Sequence, residues 1–114
     1  MPITSKRIAL LAAKAAQSKK AERIIILKVG KISLITDYFL ICSGDSDTQV
    51  KAIADAVAEK LRKEGVRLGH LEGYNKGRWV LLDFGDIVAH IFYEETRKFY
   101  DLERLWKDAE ITTI

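Results

Sequence analysis

Residues 79–92 read Trp79-Val80-Leu81-Leu82-Asp83-Phe84-Gly85-Asp86-Ile87-Val88-Ala89-His90-Ile91-Phe92, and this stretch decides the fold. A glycine at the first position of a two-residue loop, here Gly85-Asp86, is typical of a tight β-hairpin turn. Strand side chains alternate between the two sides of a sheet. One side of the hairpin is then entirely apolar, with the pairs Phe84 and Ile87, Leu82 and Ala89, and Val80 and Ile91.

The other side of the hairpin mixes polar and apolar side chains. Its pairs are Asp83 with Val88, Leu81 with His90, and Trp79 with Phe92. Burying a carboxylate or an imidazole without a partner costs about 1–3 kcal/mol per group. We therefore expect this side to stay open to solvent until a protein partner covers it. In the alternative interpretation, helices cover both sides and His90 is a satisfied, half-buried histidine.

The composition is that of a soluble globular chain. Its 114 residues suit one domain, which we expect to span residues 1–114. Charged residues make up 31% and hydrophobic residues 48%, which argues against a disordered protein. No apolar run reaches the roughly 18 residues that span a bilayer, and residues 1–20 lack the continuous apolar region of a secretory signal. These features predict a cytoplasmic protein without a membrane partner.

Charge is divided unevenly along the chain. Residues 1–78 hold 15 Lys and Arg against 8 Asp and Glu, a net charge of +7, whereas residues 79–114 hold 4 against 8, a net charge of −4. The basic part is suited to RNA phosphates, and the acidic, aromatic part to a basic protein surface. The alternative is that both sets are solvated surface, as scattered charges usually are.

Two long helices are predicted from the spacing of apolar residues. The first covers residues 4–19, with Thr4 or Ser5 as its N-cap. The second follows the capping-box pattern Ser46-x-x-Gln49 and ends at Gly65.

Short strands and helical turns fill most of the remaining chain. Besides the hairpin, strands are predicted at residues 24–29, 37–42 and 67–72, and helical turns at residues 94–100 and 102–106. The resulting order is helix, strand, strand, helix, strand, strand, strand. It predicts an α/β fold in which helices pack on a mixed sheet of about five strands.

The sequence gives little support to a metal or cofactor site. His70 and His90 lie in different predicted strands, and neither belongs to a pair with the spacing of a zinc site. Cys42 lies in an apolar strand, where it is expected to act as a small buried hydrophobe. We therefore predict neither a metal nor a cofactor.

One loop has an enzyme-like position. Ser43-Gly44-Asp45-Ser46 joins a strand to a helix N-terminus, where backbone N–H groups and the helix dipole can hold a phosphate. Asp45 and Asp47 place negative charge at that opening, which favours helix capping over phosphate binding. The alternative is a nucleotide-binding enzyme that uses the Ser43-Gly44 loop.

Five sequence blocks follow one another between about Ile24 and Ala109. They are Thr36-Asp37-Tyr38-Phe39-Leu40-Ile41-Cys42-Ser43-Gly44, Gln49-Val50 with Ala52-Ile53-Ala54-Asp55, Glu72-Gly73, Trp79 to Phe92, and Phe99-Tyr100-Asp101-Leu102-Glu103-Arg104-Leu105-Trp106. In order and spacing these blocks resemble the Iojap-like ribosomal silencing factor family. The resemblance covers most of the chain.

This resemblance implies a nucleotidyltransferase-like fold that has lost catalysis. Members of the family bind the large ribosomal subunit through its fourteenth ribosomal protein, at the intersubunit face, and block joining of the small subunit, which represses translation. Asp83 and Asp86 agree with lost catalysis, because carboxylates three residues apart do not share one strand face as a metal pair would. The resemblance is also compatible with a homodimer and with a nearby ribosomal RNA contact.

The resemblance also assigns partner contacts, at Trp79, Asp83, Phe84, His90, Tyr100 and Glu103. Trp79 is the expected anchor, together with Tyr100, because aromatic anchors carry much of the energy of an interface. Asp83 and Glu103 are expected to face basic groups of the ribosomal protein. A general RNA-binding domain that uses the basic N-terminal part is a further alternative.

Overall fold

A computed structural model describes residues 3–114 as six strands in one mixed sheet with four helices. The helices are α1 (Ser5–Ser18), α2 (Asp47–Lys63), α3 (Glu94–Tyr100) and α4 (Leu102–Leu105). The strands are β1 (Glu22–Lys28), β2 (Tyr38–Gly44), β3 (His70–Glu72), β4 (Trp79–Asp83), β5 (Ile87–Tyr93) and β6 (Glu110–Thr113). Their order across the sheet is β3-β4-β5-β2-β1-β6, in which β2 and β5 run parallel and all other neighbours antiparallel. The predicted mixed α/β sheet is confirmed.

The predicted hairpin register is also confirmed. Trp79 pairs with Phe92, and Asp83 pairs with Val88. The turn closes with a hydrogen bond of 2.9 Å from the Phe84 N–H to the Ile87 carbonyl. Gly85 adopts a φ of +88°, which is the reason that glycine suits this position.

Two long helices cover one side of the sheet, which we call the inner face. The alternating side chains of the hairpin on this face are all at most 1% exposed: Val80, Leu82, Ile87, Ala89 and Ile91. They join one core with the buried stripes of α1 and α2. Burial of a full Leu or Ile side chain contributes about 1.5–3 kcal/mol. The expected apolar face is therefore the main core of the molecule.

The N-termini of both helices are capped by side chains. Thr4 Oγ accepts from the Arg7 N–H at 3.1 Å, which confirms Thr4 as the N-cap of α1. Ser46 Oγ accepts from the Gln49 N–H at 3.0 Å, which is one half of a capping box. In the other half of a capping box, the Gln side chain accepts from the N–H of the N-cap residue. Here Gln49 Oε1 instead accepts from the N–H of Asp45, the residue before the N-cap, at 2.6 Å.

Gly65 ends α2 as predicted. It has a φ of +82°, and its N–H donates to the Arg62 carbonyl. The next N–H, that of Val66, donates to the Leu61 carbonyl at 2.8 Å. These two bonds form a Schellman motif, which satisfies carbonyls that the helix end would otherwise leave free.

The opposite side of the sheet, which we call the outer face, is only partly open. Phe39, Ile41, Val88 and Phe92 form a second core there, against which Leu102, Trp106 and Ala109 of the C-terminal segment pack. The expectation of a fully open outer face is therefore wrong at its centre. The physical reason is the apolar area at this centre, which favours covering by the chain itself.

The sixth strand, β6, was not predicted. It is four residues long, consists of exposed residues, and pairs antiparallel with β1 at the sheet edge, from Ile25 with Thr113 to Lys28 with Glu110. So short a segment carries no clear alternation. The predicted strand at residues 67–72 is shorter in the structure, where only His70–Glu72 pairs with β4. No helix in residues 3–114 is long and apolar enough to cross a membrane.

Candidate partner-binding face

Six aromatic or imidazole rings form a continuous chain across the outer face. From the covered centre outwards they are Trp106, Phe39, His90, Trp79, Tyr100 and Phe99, with centroid distances between successive rings of 5.1, 4.9, 5.9, 4.9 and 5.1 Å. Ring pairs at such distances add to stability beyond the area they bury. The chain therefore links the second core to the surface.

His90 lies at the covered end of this chain and is only 5% exposed. Its Nδ1 accepts from the Trp79 indole N–H at 3.1 Å, whereas its Nε2 is buried without a hydrogen-bond partner among residues 3–114. Burial lowers the pKa of His90 to about 4, so the ring is neutral near pH 7. The expectation that this imidazole is open to a partner is therefore wrong. Its hydrogen bond is with Trp79, whose ring it orients.

Trp79, Tyr100 and Phe99, which we call the aromatic patch, lie at the exposed end. Trp79 is half-buried against Phe92 and Tyr100, while Tyr100 is 52% and Phe99 81% exposed. The structure thus brings Trp79 and Tyr100 together, as the candidate site requires. Phe99 was not predicted as a candidate. In a helix of only two turns, the spacing of apolar residues does not show which side of the helix is covered.

Asp83 lies on the same strand side as Trp79, four residues along β4. Its Oδ1 accepts from the Gly85 N–H at 2.8 Å, so this carboxylate also stabilises the hairpin turn. Phe84 lies on the opposite side of the sheet, where it packs half-buried against the main core. The structure therefore separates Phe84 from the other candidates, because alternation along a strand reverses the direction of neighbouring side chains.

Glu103 is bound within the molecule. Its Oε1 accepts from Arg97 Nε at 2.6 Å, and Arg97 is only 3% exposed. The guanidinium also donates to Ser43 Oγ at 3.1 Å. A buried guanidinium requires such partners, because desolvating a charge without them is costly. Because Arg97 lies in α3 and Glu103 in α4, this contact positions α4 against α3.

Glu94 extends this ionic cluster. Its carboxylate accepts from the Ser43 hydroxyl at 2.6 Å and forms a short ion pair with Arg23. Burial by itself would raise the pKa of Glu94, but the Ser43 hydrogen bond and the charges of Arg23 and Arg97 outweigh it and hold the pKa below its usual value. Sequence reasoning missed this cluster, because Arg97 and Ser43 are 54 residues apart.

These contacts also occupy the candidate phosphate loop. The Ser43 hydroxyl donates to Glu94 Oε2 and accepts from Arg97. A Cβ at Gly44 would lie 3.1 Å from Gln49 Oε1, so a side chain already fills the space next to this glycine. Because the loop's polar groups have internal partners and Glu94 adds negative charge, this geometry argues against nucleotide binding here.

Two further kinds of potentially reactive group are the cysteine thiol and the side chains that can bind a metal ion. Cys42 is fully buried, and burial raises the pKa of its thiol to about 12, although the charge of Arg97 lowers it slightly. Its predicted role as a small buried hydrophobe is confirmed. Within residues 3–114 no group of three or more His, Cys, Asp or Glu is placed to hold a metal ion.

Comparison with known proteins places this fold in a family. The model of the family described as "Ribosomal silencing factor during starvation" matches residues 2–114. The chain belongs to the ribosomal silencing factor family. It is 44% identical to the ribosomal silencing factor of Halalkalibacterium halodurans, over 94% of this chain and 92% of the relative. The Bacillus subtilis ribosomal silencing factor is 43% identical, over 98% and 95%.

A solved structure shares both fold and sequence with this chain. The crystal structure of a Chromobacterium violaceum protein superposes with a TM-score of 0.90 at 37% identity, covering 92% of this chain and 88% of that protein. A more distant mouse relative, named "Mitochondrial assembly of ribosomal large subunit protein 1", is 31% identical over 79% of this chain and 41% of its own length. The resemblance inferred from the five sequence blocks is therefore confirmed.

Proposed function

We propose that this chain silences translation by docking the aromatic patch and the acidic part of its outer face on the large ribosomal subunit. Its relatives carry the name ribosomal silencing factor, and the mouse relative is named for assembly of the large ribosomal subunit. The bound domain would occupy the intersubunit face and exclude the small subunit by its volume. Occlusion of this kind requires no reaction at the site.

The aromatic patch is the observation that carries the proposal. Phe99 and Tyr100 remain 81% and 52% exposed although apolar surface of this kind is usually covered. Both rings connect through Trp79 to the rigid sheet, so they are positioned before a partner arrives. Exposed aromatic side chains on a rigid support are typical of the residues that dominate binding energy.

Charge indicates the chemistry of the partner. Asp83 and Glu72 lie on the outer face of neighbouring strands, and the chain from residue 79 onwards carries a net charge of −4. An acidic surface favours a basic protein over RNA phosphates. We infer that the partner is a basic ribosomal protein of the large subunit, and the family resemblance points to the fourteenth.

Phe99→Ala is the sharpest test, because removing an exposed ring leaves the cores intact. We expect its affinity for purified large subunits to fall at least about tenfold, as for an interface anchor, and its inhibition of subunit joining to fall in parallel. Trp79→Ala should have a larger effect but also removes packing against Phe92. Co-sedimentation with large subunits, followed by gradient analysis of subunit joining, measures both quantities.

Leu71→Ala is the matched control. Leu71 is a 44% exposed apolar residue on the inner-face side of β3, away from the aromatic patch. The affinity of Leu71→Ala for large subunits should stay within about twofold of that of the original protein. Equal loss of binding in Leu71→Ala and Phe99→Ala, or full binding by Phe99→Ala and Trp79→Ala together, would refute docking through the aromatic patch.

Four features stay predictions: the identity of the ribosomal protein, the homodimer, the cytoplasmic location and the nucleotidyltransferase-like fold. A pull-down with the isolated fourteenth protein tests the first of these, and sedimentation velocity of the free chain tests the second. The alternative of a nucleotide-binding enzyme predicts heat on titration with ATP and magnesium. We expect none, because Ser43 and Gly44 are occupied by internal contacts.

A further inference from the structure

A shallow groove runs between α1 and α2 on the surface that faces away from the sheet. Its volume is about 570 Å³. The small residues Ala15 and Ala56 form part of its lining and let the two helices lie close together. Four basic side chains also line it: Arg7, Lys14, Lys60 and Lys63.

The basic residues of α1 have no counter-charge in the described part of the chain. Neither Arg7 nor Lys14 forms an ion pair within residues 3–114. No acidic residue occurs in α1. Arg7 and Lys14 are seven residues apart on one helix, so they stand two turns, or about 10 Å, apart along the groove.

The position of Arg7 is unfavourable for the helix itself. It lies in the first turn of α1, where the helix dipole disfavours positive charge. Lys6 beside it adds a second cation at the same end. Asp37 supplies one negative charge there, since its carboxylate accepts from Ser5 Oγ at 3.0 Å, but one carboxylate does not balance two cations. Residues that break a local rule without full internal compensation are expected where a function requires them. An external anion would supply the remaining compensation.

The acidic residue of the groove does not cancel this charge. Glu59 is held by Arg62, whose Nε and Nη2 donate to its two carboxylate oxygens at 3.0 and 2.8 Å. Lys63 lies 3.9 Å from the same carboxylate, and Lys60 lies 3.6 Å from Glu64. These pairs are exposed and weak. The groove as a whole therefore keeps a positive charge along both of its walls.

We propose that this groove binds the phosphodiester backbone of RNA. Cations in a row along a groove match the regularly spaced phosphates of a nucleic acid and release its counterions on binding. An anionic membrane suits the site less well, because the exposed residues of α1 are all polar and offer no apolar group for insertion. The groove lies across the sheet from the aromatic patch, so both surfaces can be occupied at once.

The test uses the intact chain and a short fluorescein-labelled RNA duplex, without any ribosomal protein. We compare the double variant Arg7→Gln/Lys14→Gln with the original protein by fluorescence anisotropy between about 50 and 200 mM KCl. The dissociation constant should rise at least about tenfold at the lower salt, and the slope of log K against log salt should fall by roughly 1.5.

Lys31→Gln/Lys76→Gln is the matched control, since it removes the same charge from two exposed loop residues outside the groove. It should change the dissociation constant less than about threefold. Equal weakening by both double variants would overturn the proposal in favour of general charge attraction. So would absence of RNA binding at low salt, or tighter binding to phosphatidylglycerol vesicles than to RNA.

The result of this RNA-binding test is independent of the result of the test for large-subunit binding. Phe99→Ala lies outside the groove and should bind the naked RNA duplex as the original protein does. Conversely, failure of the groove variants to affect RNA binding would leave docking through the aromatic patch untouched.

Discussion

The two faces of the sheet are covered in different ways. Two long helices seal the inner face with apolar side chains alone, whereas the outer face is closed by two short helices, a few aromatic rings and a buried ionic cluster. The first arrangement stabilises the fold through area removed from water. The second leaves aromatic surface exposed at its edge, which is the surface that the proposed function uses.

The ionic cluster should show the largest effect of any single change on the outer face. Arg97→Met leaves Glu103 without its hydrogen-bond donor and Glu94 without a neighbouring positive charge. Breaking a fully buried pair costs about 3–5 kcal/mol, and we expect the lower end of that range because the Glu94 and Glu103 side chains are 23% exposed. Chemical denaturation measures this loss. The exposed Arg104→Met is the control and should change the free energy of unfolding by less than about 0.5 kcal/mol. A change of that small size in Arg97→Met would mean that the cluster does not hold the outer face.

A pair of leucine variants compares the two faces directly. Leu82→Ala on the inner face should cost about 2–5 kcal/mol, because Leu82 is 1% exposed and its removal leaves a cavity. Leu105→Ala on α4 should cost less than about 0.5 kcal/mol, because Leu105 is 74% exposed. Urea denaturation of the two variants measures both values. Similar losses would contradict the division into a sealed face and an exposed one.

Acid should weaken the outer face through His90. Its pKa is about 4 in the folded state and about 6.5 when unfolded, so the unfolded chain binds the proton first as the pH falls. The stability is therefore complete above pH 6.5 and declines towards pH 4. Between pH 7 and pH 5 we expect a loss of about 2 kcal/mol.

His90→Gln provides the comparison for this pH dependence. Its amide keeps an acceptor for the Trp79 indole N–H but does not titrate. Denaturation midpoints of this variant should depend much less on pH over the same range. An equal slope in both proteins would assign the acid sensitivity to another group.

Phe99→Ala should have the smallest effect on stability, within about 0.5 kcal/mol, because the ring is 81% exposed. Thermal unfolding checks this value. The result matters because the same variant is expected to lose large-subunit binding. If it also unfolded easily, the aromatic patch would belong to the core of the outer face rather than to its interface.

Several features could be predicted because they depend on neighbouring residues. Gly85 marks the hairpin turn, Thr4 and Ser46 cap their helices, and Gly65 ends α2. Strand alternation then separated the apolar side of the hairpin from the mixed side, and both sets of cross-strand pairs are as expected. The family resemblance also depended on short blocks of neighbouring residues.

The candidate site was predicted only in part. Trp79 and Tyr100 do meet, but Phe84 lies on the inner-face side and Glu103 is held by Arg97. Whether a polar side chain on a strand faces water depends on what packs over it. For His90 the packing residues include Phe39, whose ring centroid lies 4.9 Å from that of the imidazole although Phe39 belongs to a different strand.

The sequence by itself determined the turns, the caps, the hairpin register and the apolar set of the inner face, because short-range geometry and side-chain periodicity specify them. Only the tertiary structure decided that His90 is buried, that Arg97 is enclosed by Ser43 and Glu103, and that β6 joins the sheet edge. These features depend on groups distant in the chain, and their energies arise only when folding brings those groups together.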